Sequence, residues 1–339
     1  MKKRNIYFFE NSLSARLFNT LRFLNSFLRY KLSKKIPLDP KSIRILTDLN
    51  NDGIAILPNF ISPEILKELN KENDKILSDF KFNFPVMSHS MVSKDIEDKF
   101  FNDNKTVSYK DIESQDVFVR DSGGLDYLTF IKKYSPHILK VTLDKYSENF
   151  SKLFLDEYLL NIVTHYLGCI PGLNEAYLRR SFPAKHAYQN NNWHRDTNDK
   201  YKLVKVFFLL SNMTPDNGPF TYLKNTCSDY SFLNGKMYYS NDEIESELPD
   251  FKLRCIPDTL PAGTVIIADT RGLHKAGLPE KRYRDMGFAV FTPRAPFVHY
   301  SGYSIKKSIF DKLTHFQKKF IQNENIVDDD VEMNYKNSF

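Results

Sequence analysis

Leucines recur every three to four positions from Leu13 through Leu17, Leu21, Leu24 and Leu28 to Leu32, which predicts an amphipathic helix, and Phe18 and Phe27 widen its stripe. After a break at Pro37 and Pro40, residues 42–51 predict a short helix running into Asp52-Gly53, and 54–57 an early strand. Ser62-Pro63-Glu64 starts another helix, with Ser62 as cap and Pro63 in the first turn, continuing to Phe80. Residues 83–115 are polar and aperiodic, the pattern of a surface loop, placed to cover the mouth of a barrel if the later strands build one. A strand is expected over 116–120, and helices over 125–134, 136–149 and 152–167. From Asn174 onward short apolar runs predict strands over 174–182, 201–210, 220–223, 253–256, 264–268 and 286–292. Alternation puts Tyr177 with Arg179 on one face of the first of these, and Lys205, Phe207 and Leu209 together on one face of the second. An acidic, tyrosine-containing insertion occupies 225–252. A helix over 304–321 and the acidic tail Asp328-Asp329-Asp330 follow.

Composition narrows the class. The 339 residues suffice for one sizeable domain with additions, and 28 Phe and 19 Tyr against one Trp supply apolar surface for a β-rich core. Three cysteines, Cys169, Cys227 and Cys255, without Cys-x-x-Cys spacing, argue against a disulfide framework or structural zinc and for a reducing, cytoplasmic setting. No apolar run approaches the roughly 20 residues of a membrane span. Arg16, Arg22 and Arg29 interrupt the first apolar stretch, so a secretory signal is not expected. The net charge of +6 is unevenly placed: residues 1–35 hold nine Lys or Arg against Glu10, a charge of +8 that leaves −2 for the rest. A nearly neutral body does not imply nucleic acid as a partner. The basic arm has two readings: a helix docked on the body with its charges outward, or one resting on an anionic membrane surface or a partner.

Candidate chemistry centres on Trp193-His194-Arg195-Asp196. Side chains alternate across a strand, so His194 and Asp196 share a face and can grip one metal ion together. His274 suits the third position because the apolar run 264–268 lies just before it. Two imidazoles and a carboxylate on one face of an iron leave the opposite positions open for substrate and oxygen. The other histidines, His89, His137, His165, His186, His299 and His315, have no partner at ligand spacing. Asp269, five residues before His274, either orients it or caps the turn.

From about Asp52 to Pro296 the order of motifs resembles the phytanoyl-CoA dioxygenase family. The matching pieces are Asn51-Asp52-Gly53-Ile54-Ala55-Ile56-Leu57 with Phe60-Ile61-Ser62, Trp193-His194-Arg195-Asp196, the run 203–210, Asp216-Asn217-Gly218-Pro219-Phe220, Pro261-Ala262-Gly263-Thr264, and His274 with Arg284. The resemblance implies a mainly β fold with helical additions, a double-stranded β-helix (jelly roll, cupin-like) packed by N-terminal and central helices. It divides the chain into a basic arm (1–36), an oxygenase domain (37–300) and a C-terminal helix with acidic tail (301–339). It implies Fe(II), 2-oxoglutarate and O2, and hydroxylation of a small-molecule substrate with release of succinate and CO2. His194, Asp196 and His274 would bind the metal. Arg284, about ten residues after His274, would grip the distal carboxylate of 2-oxoglutarate with its planar fork, with Arg282 the runner-up. Phe207 would line the cosubstrate pocket or serve as plain core. Where the family often has a small hydroxyl residue, this chain has Ala276, leaving Thr264, Thr270 or Tyr283 as substitutes. Asp196, a carboxylate and not Ala or Gly, favours hydroxylation, desaturation or ring closure over halogenation. Two other classes remain: a non-catalytic jelly-roll binding or membrane-associated scaffold, and a cupin-type isomerase that needs metal but not 2-oxoglutarate.

Overall fold

The alternating segments of the second half pair into one antiparallel sheet, around which the helices collect. The structure, a computed structural model, describes residues 13–32, 36–79, 81–83, 106–108, 138–143, 146–183, 189–196, 202–227, 238–294 and 303–330. In chain order the elements are α1 (Leu13–Leu32), α2 (Pro40–Asp52), β1 (Ile54–Leu57), α3 (Pro63–Asp79), β2 (Lys81–Asn83), β3 (Thr106–Ser108) and β4 (Ile138–Thr142). Then come α4 (Glu148–Phe154), α5 (Glu157–Leu167), β5 (Pro171–Ser181), β6 (Val204–Leu209), β7 (Phe220–Tyr222), α6 (Asn241–Glu247) and α7 (Phe251–Arg254). The chain continues through β8 (Val265–Asp269), β9 (His274–Ala276), β10 (Arg284–Pro293), β11 (Ile305–Lys306), α8 (Lys307–Lys312), α9 (His315–Lys318) and β12 (Ile326–Val327).

The main sheet has the order β1-β8-β6-β10-β5-β4, antiparallel throughout. A second, fragmentary layer is the β7–β9 pair, extended by single bridges Trp193↔Tyr239, His194↔His274 and Leu223↔Cys255. Because side chains alternate, each strand of the main sheet feeds two cores. Val206, Phe208, Val265, Ile267, Ala289 and Phe291 pack outward against Phe150, Phe154 and Leu160 of α4 and α5. Ile54, Ile266, Phe207, Leu209, Met286, Phe288 and Tyr177 face the second layer, meeting Phe220 and Tyr222. The inward rows follow from register: Tyr177 lies opposite Phe288, Phe288 opposite Phe207, and Phe207 opposite Ile266.

The early helices form as their caps direct. Asp39 accepts a 2.6 Å hydrogen bond from Ser42 N, and α2 ends on Gly53, whose φ of 79° is the left-handed conformation glycine adopts at no steric cost. That turn hands the chain directly to β1. Ser62 Oγ accepts from Ile65 N at 3.4 Å at the start of α3.

Several expected elements differ. The helix expected over 136–149 is strand β4, since Ile138, Val141 and Thr142 are β-branched and the open edge of β5 offers them a ladder; helix begins only at Glu148, after the Ser147 cap. The helix expected over 152–167 breaks at Leu155, because Asp156 caps a new helix by accepting from Leu159 N at 3.0 Å. The strand expected over 253–256 is helical turn α7, held by Arg254 Nε donating to Asp250 Oδ2 at 2.8 Å; only Cys255 keeps a strand bridge. The helix expected over 304–321 is split, as Ile305 and Lys306 pair with β12 and Thr314 forms a capping box with Gln317. The strand over 116–120 and the helix over 125–134 lie outside the described residues. So does most of the 83–115 loop, of which 106–108 pairs with 81–83.

The basic helix α1 also departs from expectation. It docks through Asn19, Arg22 and Ser26, all buried, and turns its leucines outward. The cause lies at the end of β10, whose Pro293 and Arg294 carbonyls accept from Arg22 at 2.6 and 3.1 Å. Among the described residues no helix is long and apolar enough to cross a membrane.

One buried ion pair ties α3 to the sheet. Asp285 accepts from Arg180 Nε at 2.6 Å and from Asn73 Nδ2 at 3.3 Å, and the Arg180 side chain is 3% exposed. Removing one partner of such a pair strands a buried charge, so Asp285→Ala is expected to cost about 3–5 kcal/mol. Urea denaturation of the variant checks this through a lowered midpoint at unchanged slope.

Candidate metal centre

His194 and His274 face each other across an antiparallel bridge, exchanging backbone hydrogen bonds of 2.9 and 3.0 Å. Directly opposite residues share a face, so the pairing itself brings the imidazoles together, with ring centroids 4.3 Å apart. Asp196, two residues on, is placed by its N–H donating to Thr270 O at 2.8 Å. Its Oδ2 lies 3.6 Å from His274 Nε2. The intervening side chains point away: Trp193 packs against Phe251, and Arg195 donates to Arg271 O at 2.9 Å. One ligand atom from each of His194, Asp196 and His274 lies within 4.8 Å of the others, a group able to hold a metal ion.

The histidines are set for that task. His194 Nδ1 sits 2.9 Å from Asn192 O, and His274 Nδ1 3.0 Å from Gly272 O. A carbonyl only accepts, so each Nδ1 carries the proton and each Nε2 keeps its lone pair for a metal. Burial depresses both imidazole pKa values, that of His274 to about 3 with further repulsion from His194. Burial pushes the Asp196 carboxyl up, but Lys205 and then the two histidines hold it below the ordinary carboxylate range. Lys205 Nζ stands 2.6 Å from Asp196 Oδ2. The lysine therefore points inward, as the alternation of β6 places it.

Gly272 is critical to this geometry. Its carbonyl orients His274, and a Cβ there would collide with Tyr222 Oη, which donates to Asp269 O at 2.8 Å. Gly272→Ala is therefore expected to weaken metal affinity by roughly 10- to 100-fold, the usual cost of a lost outer partner, as read by Co(II) titration. Asp269 does not touch His274. Its carboxylate instead accepts from Tyr166 Oη at 2.8 Å and from Arg271 at 2.6 and 2.9 Å, and it closes the turn by accepting from Arg271 N.

Further along the same inner face lie two guanidiniums. Arg284 begins β10 and is 2% exposed, and Arg179 on β5 is buried opposite Met286. Among the described residues neither is paired with a carboxylate. Arg179 Nε donates to Ser181 Oγ at 3.0 Å and Arg284 Nη1 to Asn217 O at 3.4 Å, while Arg284 Nε has no partner. Burial, then the neighbouring charge of Arg179, pushes the Arg284 guanidinium down to about 9. An uncompensated buried cation calls for an anion. This orphaned fork suits the distal carboxylate of a dicarboxylate whose other end lies at the metal. Arg282 is exposed, so it is not the inward arginine. Tyr283 stacks on Arg180, 4.0 Å away, while Thr264 and Thr270 each bury a hydroxyl without a partner. Phe207 is 2% exposed, packed between Phe220 (4.5 Å) and Phe288 (5.2 Å), and Phe220 in turn lies 5.9 Å from His274.

Two contacts escaped the sequence. Arg179 shares a face with Tyr177 by alternation, yet only the sheet register brings it beside Arg284. Tyr238, from the insertion 225–252, lies 5.9 Å from His194 with no periodic signal to announce it.

Residues 49–278 match the phytanoyl-CoA dioxygenase (PhyH) family. Comparison with the curated proteins gives no significant match. Similar solved structures include EctD from S. alaskensis with 2-oxoglutarate and 5-hydroxyectoine, 16% identical at TM-score 0.51, covering 78% of this chain and 80% of that one. HygX from Streptomyces hygroscopicus with nickel, 2-oxoglutarate and hygromycin B is 13% identical at TM-score 0.44, covering 78% and 90%. The epimerase SnoN with Fe3+, alpha ketoglutarate and nogalamycin RO is 13% identical at TM-score 0.47, covering 75% and 84%. At 16% identity the likeness to EctD is one of fold. The family match covers about two thirds of the sequence: this chain belongs to the phytanoyl-CoA dioxygenase family and is a 2-oxoglutarate-dependent non-haem iron enzyme.

Proposed function

We propose that this enzyme hydroxylates a small-molecule substrate with release of succinate and CO2, using His194, Asp196 and His274 to hold Fe(II) and Arg284 to hold the distal carboxylate of 2-oxoglutarate. What carries this is the pairing, on one inner face, of a His-Asp-His cluster with a buried arginine that has no carboxylate partner among the described residues. We take the two layers as halves of a double-stranded β-helix, and the three cysteines outside any disulfide as fitting a cytoplasmic setting.

Iron with 2-oxoglutarate and O2 supplies the oxidising power, by oxidative decarboxylation coupled to oxidation of a C–H bond. The chain supplies position. Asn192 O and Gly272 O hold the Nδ1 protons and aim both imidazoles. Lys205 keeps Asp196 ionised. Arg284 fixes the far end of the cosubstrate, with Arg179 as the second cation of that clamp. Phe207, Phe220 and Phe288 exclude water from the inner face, Phe207 as a wall of the cosubstrate pocket. The carboxylate at position 196 completes three protein ligands, which favours hydroxylation over halogenation.

Anaerobic addition of Fe(II) and 2-oxoglutarate to the apo-protein tests the chemistry. The weak visible charge-transfer band of the chelate is expected, followed on exposure to air by succinate release. A folded, iron-loaded protein with no such band would refute 2-oxoglutarate as cosubstrate and leave a metal-dependent isomerase or a scaffold.

A further inference from the structure

The leucines of α1 face away from the protein. Leu13 is 84% exposed, Leu21 56% and Leu32 87%, and Leu17, Leu24 and Leu28 complete the row with Phe18 beside them. On the opposite face Asn19, Arg22 and Ser26 are buried. Arg22 caps the end of β10 through Pro293 O, Ser26 Oγ accepts from Arg294 N at 3.1 Å, and Tyr30 Oη meets His165 Nδ1 at 3.3 Å. These docking contacts are polar, with Phe23 and Phe27 half-buried beside them, and they fix which way the apolar row points. An amphipathic helix ordinarily buries its apolar stripe. Contiguous exposed apolar rows mark contact surfaces.

Charge identifies the partner. The helix contains no Asp or Glu, and Arg16 and Lys31 flank the row on one side with Arg29 on the other. Lys2, Lys3, Arg4, Lys34 and Lys35 add to the charge on either side in sequence. A second copy would set these cations against their own equivalents. An anionic lipid surface instead accepts leucines into its acyl boundary and lysines and arginines among its headgroups. At 1.5 Å per residue the row is about 28 Å long, and it is too polar on its docked face to cross a bilayer.

We propose that α1 is a peripheral membrane anchor, lying in the plane of an anionic lipid surface with its leucine row inserted and its Asn19-Arg22-Ser26 face holding the catalytic body to it. This surface stands apart from the chemistry proposed for the metal centre, and its test does not depend on it.

The full chain is mixed with vesicles of phosphatidylcholine containing a minor fraction of phosphatidylserine, and with phosphatidylcholine alone, and the bound fraction is measured by co-sedimentation. Binding to the anionic vesicles, weakened by added salt, is expected. The exposed triple variant Leu17→Glu, Leu21→Glu, Leu24→Glu should lose it by tenfold or more while keeping the wild-type melting temperature and metal titration. Arg16→Gln with Lys31→Gln should lose the preference for anionic over neutral lipid. Wild-type protein left in the supernatant would overturn the proposal, as would a triple variant that binds like wild type. Wild-type dimers that the triple variant converts to monomers, without vesicle binding in either, would assign the row to a second copy.

Discussion

Asp196→Ala is expected to leave a folded protein that no longer holds Fe(II) and whose 2-oxoglutarate turnover falls to background. Asp196 supplies the only carboxylate of the His-Asp-His group. Its loss should therefore exceed the roughly 10- to 100-fold that an outer-partner mutation costs. It also leaves Lys205, which now stands 2.6 Å from the carboxylate, as an uncompensated positive charge beside the two histidines. Lys205→Met has the opposite sign. Removing a positive charge near the site lowers a repulsion of about 4 kcal/mol per unit of charge on the ion at 4 Å and an effective dielectric near 20, so divalent-cation affinity should rise. Calorimetric titration of both variants with Co(II) reads the pair. Full turnover in Asp196→Ala would remove the metal assignment. Unchanged affinity in Lys205→Met would mean that the ammonium does not compete with the ion.

Arg284→Met is expected to weaken 2-oxoglutarate binding by about 2–5 kcal/mol, roughly 30- to 4,000-fold in Kd. The apo-variant, however, should be at least as stable as wild type. The guanidinium is 2% exposed, its Nε has no partner among the described residues, and a second cation, Arg179, presses it toward the neutral form. Such a charge burdens the empty protein and is repaid only by an anion. Methionine keeps the apolar stem without that burden. Arg179→Gln should show a weaker form of the same signature. Neither substitution should alter binding of 2-oxovalerate, which chelates a metal alike but has no distal carboxylate. Equal losses for both oxo-acids would indicate a damaged metal site; no loss for 2-oxoglutarate would remove Arg284 from its role.

What depends on short spacing was legible in the chain. Period two set the strand faces, so His194 with Asp196, and Lys205 with Phe207, could be read as neighbours before any fold was known. Caps and turns at Asp39, Gly53 and Ser62 set the first helices for the same local reason. Where a segment answers to a distant edge, local pattern failed: residues 138–142 became a strand because β5 had an edge to fill. The folded sheet was needed to bring His274 opposite His194, Arg179 beside Arg284, and Lys205 to Asp196. Those pairings span many residues of chain and arise from sheet register, which no local window contains. The leucine row of α1 is the sharpest case. Its period was plain in the sequence, but its direction was set by Pro293 and Arg294, two carbonyls at a strand end some 270 residues away that needed the donors of Arg22.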